Sequence, residues 1–197
     1  GTPVDLYAQL RKMGSKINVS GRIQYCQSKL STTGDISMTG DSEEELKFLR
    51  QRIAENPKSL IALQSEVFLL DRKYDKLVTN LGKPRSDVNF ATVQPLIEEY
   101  NALTRAYPLE VLNQEDLRAY IYMRMGSIYT YVGENDADKV AKLRLGIQLL
   151  MQSLQTAPEA LFRVEALETL AMLASRAGDN QKAMEARSEE HTSELQS

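Results

Sequence analysis

The chain has 197 residues, with 24 lysines and arginines against 27 aspartates and glutamates, so its net charge is −3. This near balance argues against a nucleic-acid partner, because dedicated nucleic-acid binders usually carry a basic patch and have a high pI. No apolar run approaches the ~18 residues of a membrane span, and the single cysteine, Cys26, cannot form an internal disulfide, which favours a reducing compartment such as the cytoplasm.

The N-terminal segment, residues 1–41, contains the one stretch whose apolar spacing favours strand. Between residues 16 and 39, apolar side chains alternate with polar ones at Ile17, Val19, Ile23 and Tyr25. A period of two is typical of a strand with one buried face. The pattern therefore predicts a small β-hairpin over residues 16–39, and a helix over Arg22–Leu30 is the alternative.

The remainder of the chain has the apolar spacing of amphipathic helices separated by helix-breaking residues. The predicted helices are residues 42–55, 60–70, 74–81, 92–107, 114–132, 139–156 and 159–177. Pro57, Pro108 and Pro158 mark ends, since the residue before a proline disfavours helical geometry. The polar triplet 71–73 predicts a break. We divide this part into a helical region over residues 42–112 and a second one over residues 113–186.

Apolar, small and turn residues recur at similar positions in the second helical region. In one helical pair they are Met125, Gly126, Tyr129, Gly133, Gly146, Leu150, Ser153 and Pro158, and in the next they are Leu167, Leu170, Ala171, Ala174, Gly178, Asp179, Asn180 and Ala183. With this pattern, residues 117–186 resemble tetratricopeptide repeats, which are helix pairs of ~34 residues. Small side chains such as Gly126, Gly146 and Ala171 would let neighbouring helices approach closely. Insertions before Gly146 and after Pro158 make the repeats degenerate.

The resemblance implies a mainly α fold, in which antiparallel helical hairpins stack as an α-solenoid with a concave groove. The ligand-facing positions of the first helices would be Tyr120, Met123, Ser127, Thr130 and Tyr131 in one unit, and Glu168, Met172, Ser175 and Arg176 in the next. Such a groove would hold a peptide or helix of another protein. The family's chaperone-tail clamp needs Lys and Asn where Met123 and Ser127 stand here, so we do not expect that ligand.

The residues offer little for catalysis or for metal binding. The only histidine, His191, lies in the C-terminal tail, so the commonest general base and metal ligand is missing from the rest of the chain. No glycine-rich phosphate loop occurs. The acidic cluster at Glu134, Asp136 and Asp138 lacks the glycine and the closing glutamate of a calcium loop. We therefore predict a non-enzymatic protein without a metal or another cofactor.

The last eleven residues, Arg187–Ser197 (RSEEHTSELQS), resemble the translation of a sequencing adapter. We expect this tail to be non-native and the natural sequence to continue differently after Ala186. Without its one arginine and three glutamates the net charge is −1. Because the chain begins at Gly1 and not at a methionine, we expect it to be truncated at both ends.

Together these patterns predict a protein–protein interaction module or scaffold whose partner is a protein or peptide. The alternative is a helical accessory or regulatory domain of a larger enzyme or regulator, whose active part lies outside this chain. Self-association is a third expectation, because solenoid fragments with uncapped ends tend to associate.

Overall fold

The computed structural model describes residues 43–79, 89–113, 115–160 and 162–196, and these ranges are mainly helical, with no strand among them. The helices are α1 (Glu43–Glu55), α2 (Leu60–Thr79), α3 (Phe90–Val93), α4 (Pro95–Ala106), α5 (Leu109–Leu112), α6 (Glu115–Ile128), α7 (Lys139–Thr156), α8 (Arg163–Arg176) and α9 (Asn180–Gln196). The predicted mainly α class is confirmed. The β-hairpin predicted over residues 16–39 lies outside the described residues, as does Cys26. Within the described ranges, no helix has the length and apolar character needed to cross a bilayer.

Several helix boundaries follow directly from local sequence signals. Pro95 occupies the first turn of α4, where its missing N–H costs little. Helix α7 covers Lys139–Thr156, the range that the apolar spacing predicts. Between α8 and α9 the chain turns at Gly178, whose φ of +83° is accessible to glycine at little cost. The adjacent Asp179 N–H donates to the Ala174 carbonyl at 2.8 Å, which closes the end of α8.

The helix predicted over residues 92–107 is two helices in the structure, α3 and α4. Two further predicted helix boundaries differ from the structure by four residues. The helix expected to start at residue 159 begins only at Arg163, after a turn in which the Ala160 N–H donates to the Ala157 carbonyl. The helix expected to reach residue 132 ends at Ile128 and continues as a 3-10 turn over Tyr129–Tyr131. The apolar spacing continues through both turns, so it does not reveal where the α-helix itself begins or ends.

The predicted break at residues 71–73 is also wrong, because α2 runs without interruption from Leu60 to Thr79. The polar triplet reads as a surface turn, but Asp71 is only 2% exposed. Its carboxylate accepts hydrogen bonds from Tyr100 and Tyr120, both at 2.5 Å. A polar residue that points into the protein thus replaces one turn of the apolar stripe without ending the helix.

Consecutive long helices pack antiparallel from α6 to α9. At one end of the α6–α7 pair, the Ser153 hydroxyl donates to the Ala119 carbonyl at 2.6 Å, and at the other end Gly146 lies against Tyr129. Helix α7 meets α8 in the same sense, since Gly146 lies against Leu173 and Arg144 reaches Asp179. Helix α9 returns along α8, where Arg163 pairs with Glu189 at 3.0 Å.

The helix crossings depend on glycine, as the sequence predicts. A Cβ atom built on Gly126 would lie 2.7 Å from Cγ of Leu150. One built on Gly146 would lie 2.6 Å from Cβ of Tyr129 and 2.9 Å from Cδ1 of Leu173. Since α7 is held between α6 and α8, Gly146 lets one helix approach two neighbours at the same level.

Among the side chains described in α9, the last buried one is Ala186. Ala183 and Ala186 are both buried, whereas none of the side chains described from Arg187 to Thr192 is buried. The predicted tail continues α9 as helix to Gln196. Among its contacts with α8 is the ion pair of Glu189 with Arg163, whose side chains are both partly exposed.

Candidate functional site

Helices α2, α6 and α8 contribute side chains to one side of the molecule and run in the same direction. Asp71 of α2 contacts Tyr120 of α6, and one turn further along both helices Asp75 contacts Arg124. The two helices are therefore parallel. The start of α8 lies beside the start of α6, and its end reaches the turn after α6, where Arg176 donates to the Thr130 carbonyl at 3.2 Å. Helices α2, α6 and α8 therefore form one continuous face.

This face forms an open groove of about 990 Å³. The α-helical and 3-10 residues that line it are Tyr74, Arg124, Ser127, Thr130, Tyr131, Glu165, Thr169, Met172 and Arg176. Asn89 and the loop residues 132–136 complete the lining. We call this surface the α2–α6–α8 groove.

Five of the nine predicted site residues line the groove together, namely Ser127, Thr130, Tyr131, Met172 and Arg176. Glu168 and Ser175 line a smaller adjoining depression of about 260 Å³, which also includes Met172, Arg176 and the tail residues Arg187 and Glu190. Seven of the nine predicted residues therefore lie on one continuous side of the molecule.

Tyr120 and Met123, which were also predicted to bind a partner, do not line the groove. Tyr120 is 2% exposed and Met123 is fully buried. The Tyr120 hydroxyl donates to Asp71, and its ring packs edge-on against Phe162, with ring centroids 5.5 Å apart. Both side chains belong to the hydrophobic core, because a helix as apolar as α6 must bury more than one stripe.

A buried polar cluster supports the floor of the groove. Arg124 Nε donates to Asp71 Oδ1 at 3.0 Å, and the guanidinium lies over the Tyr74 ring, 4.4 Å from its centroid. Burial is the largest single effect and lowers the pKa of Arg124, but the charges of Asp71 and of the neighbouring tyrosines together outweigh it and raise the pKa well above its usual value. Burial, together with the charge of Asp71, also raises the pKa of Tyr100. The arginine is thus charged and fixed in orientation.

Arg176 fixes the end of the groove to the turn after α6. Its guanidinium donates to the carbonyls of Thr130 and Val132 and to Glu134 Oε1 at 3.0 Å. Glu134 is also paired with Lys139, and hydrogen bonds from Lys139 and Arg176 lower its pKa. These contacts satisfy carbonyl groups that the 3-10 turn leaves without helical partners.

The groove offers contact chemistry. Its hydroxyls are occupied along their own helices, since Ser127 donates to the Met123 carbonyl at 2.8 Å and Thr169 to the Glu165 carbonyl at 3.0 Å. Met172 is 43% exposed and supplies an apolar surface. In the described ranges, His, Cys, Asp and Glu do not gather in any group of three that could hold a metal ion.

Tyr74, Arg124, Glu165 and Thr169 line the groove but were missed by the sequence reasoning. Arg124 and Thr169 lie one residue away from predicted positions, and the face of a helix cannot be fixed to one residue from spacing alone. Tyr74 was missed because α2 was expected to break just before it. Had Asp71 been recognised as a buried residue, the continuous α2 would have brought Tyr74 to this face.

Neither the protein-family models, nor the curated proteins, nor the solved structures give a match to this chain.

Proposed function

We propose that this chain is a non-enzymatic interaction module, built from degenerate tetratricopeptide-like hairpins, that binds a protein partner in the α2–α6–α8 groove. The observation that carries the proposal is that residues of the parallel helices α2, α6 and α8 line one open groove of about 990 Å³. In helical-repeat proteins, extended concave surfaces of this kind bind peptides and helices. Stacking of the pairs α2/α4, α6/α7 and α8/α9 as a short solenoid belongs to the same proposal.

The composition of the groove supports binding. Tyr131 and Met172 provide a partly exposed aromatic and sulfur-containing surface, and methionine adapts to irregular apolar ligands. Arg124 and Arg176 are fixed by internal contacts, so little side-chain entropy is lost at these positions when a ligand binds. A rigid polar frame around an adaptable apolar centre is suited to a peptide segment.

The proposal is tested by selecting peptides from a random display library against the full chain, followed by affinity measurements with two matched variants. Met172→Arg places a charge in the groove, whereas Leu145→Arg places the same charge on α7, where Leu145 is 51% exposed and outside the groove lining. We expect the first variant to weaken binding at least about tenfold, which is roughly 1.4 kcal/mol, and the second to leave it unchanged.

Equal loss of affinity in both variants, or in neither, would show that the selected peptides bind elsewhere. Thermal unfolding of each variant controls for folding. Because both replaced side chains are substantially exposed, each substitution should change stability by no more than about 0.5 kcal/mol.

A further inference from the structure

The cationic side chains of the groove are directed inwards. Arg124 Nε contacts the buried Asp71, and Arg176 donates to two carbonyls of the turn after α6. The exposed fractions of these arginine side chains are only 12% and 22%. Their positive charges are therefore mostly used in internal contacts and are little exposed to a ligand.

Apart from the buried Asp71, the carboxylates paired with these cations are directed outwards. Asp75, which lies 3.7 Å from Arg124, has a side chain that is 66% exposed. The Glu134 side chain is 68% exposed, against 23% for Lys139 and 22% for Arg176. An incoming ligand thus meets oxygen atoms before it meets the compensating nitrogen atoms.

The described groove carries more negative than positive charge. The charged residues of its lining are Arg124 and Arg176 on one side, and Glu134, Asp136 and Glu165 on the other. Since the negative members are also the more exposed ones in the pairs above, the potential that a ligand feels is negative.

We propose that the occupant of the α2–α6–α8 groove is a basic and apolar peptide segment of a partner protein. This inference rests on the proposed function and adds the chemistry of the ligand. An aliphatic side chain contacts Met172, and a lysine or arginine of the same segment reaches the carboxylate of Glu134. The excess of exposed carboxylates repels acidic segments and makes like-charge contacts with them costly.

The geometry fits the shape of a lysine or arginine side chain. Met172 and Arg176 are one helical turn apart on α8, so they lie roughly 5–6 Å apart, and Arg176 contacts Glu134 directly. A long basic side chain can lay its methylene stem along Met172 while its charged head reaches the carboxylate. A short acidic side chain lacks that reach and the favourable charge.

The test uses the full chain and three fluorescent peptides with the same spacing of leucines, which differ only in carrying lysine, glutamine or glutamate between them. Fluorescence anisotropy gives the affinities at about 0.05 M and about 0.5 M salt, where charge screening differs strongly. We expect the lysine peptide to bind about tenfold more tightly than the glutamine peptide at low salt, the advantage to shrink at high salt, and the glutamate peptide to bind most weakly.

Two matched variants assign the effect to the groove. Glu134→Lys reverses a groove charge, and Glu110→Lys makes the same change at an exposed residue of α5, outside the groove lining. The first should remove the lysine preference and the second should keep it. Glu134→Gln, which retains the size of the side chain, should weaken the preference in the same direction if the charge reversal disturbs folding.

The outcomes separate this inference from the proposed function. Tightest binding of the glutamate peptide, or equal binding of all three peptides, would overturn the inference that the ligand is basic. The proposed groove function would still hold if Met172→Arg blocks the binding. If the lysine peptide binds equally to wild type, Met172→Arg and Glu134→Lys, the peptide is held elsewhere, and both the ligand class and the groove function fail.

Discussion

Replacing Gly146 by alanine tests the close packing of α7 between its two neighbours. The added Cβ would lie 2.6 Å from Cβ of Tyr129 and 2.9 Å from Cδ1 of Leu173. Cβ of Tyr129 is attached to the backbone, so relief on that side requires a shift of the whole 3-10 turn. Movement of α7 away from α6 only increases the overlap with α8.

The expected magnitude is the balance of two opposing effects. Overpacking a close helix crossing costs about 1–3 kcal/mol, whereas replacing glycine by alanine within a helix gains about 1 kcal/mol. Because two neighbours are overlapped at once, we expect the upper part of the cost and a net destabilisation of about 1–2 kcal/mol. For a chain of this size the melting temperature should fall by about 2–8 °C.

Gly133→Ala is the matched control for this measurement. A Cβ atom on Gly133 would meet its nearest described atom at 3.6 Å, which is ordinary contact, and the substitution should change stability by no more than about 0.5 kcal/mol. Urea unfolding at fixed pH and calorimetry give the two values. A Gly146→Ala protein that equals or exceeds the stability of wild type would refute the close crossing, since the gain in helix propensity would then act alone.

Three further predictions concern two buried polar side chains and the C-terminal tail. Asp71→Ala should lower the free energy of unfolding in urea by about 3–5 kcal/mol, because Arg124 loses its buried partner and is left with the largely exposed Asp75 at 3.7 Å; a loss below about 1 kcal/mol would contradict that role. Burial, followed by the hydrogen bond to Glu66, raises the pKa of Tyr107, so this tyrosine stabilises the fold below pH about 10 and loses that contribution as the pH rises and the unfolded chain ionises. In urea titrations, Tyr107→Phe should make the alkaline loss of stability shallower by about 1.4 kcal/mol per pH unit, and an unchanged slope would be evidence against it. Deleting residues 187–197 should lower the free energy of unfolding by less than about 1 kcal/mol, with a correspondingly small change in melting temperature, because the ion pair described for the tail is partly exposed. A larger drop would mean that the tail packs as part of the fold.

The sequence predicts the helical elements well where the apolar stripe is regular. Helix α7 has the predicted bounds, and Gly126 and Gly146 lie at the crossings for which their small size was noted. Both predictions depend on local spacing and on side-chain volume, which are read directly from the residues. The turn at Gly178 could also be predicted locally, because it depends only on the backbone conformation of that glycine.

The sequence does not predict which polar and aromatic side chains are buried and which are exposed. Asp71 reads as part of a surface turn but lies at the centre of a buried cluster with two tyrosines and Arg124. Tyr120 and Met123 read as groove residues but belong to the core. These outcomes depend on partners that are distant in the chain, and a spacing pattern does not specify which of two apolar faces meets them.

The most direct test of the groove as the partner-binding surface is methyl NMR of the full chain labelled at its methionine methyl groups. Met172 in the groove and Met184 on α9 are both well exposed, at 43% and 65%, so each reports on its own surface. On titration with a library-selected peptide, the Met172 methyl signal should shift saturably while that of Met184 stays in place. A shift of Met184 with an unchanged Met172 would place the partner on the other side of the helical layer and contradict the proposed function.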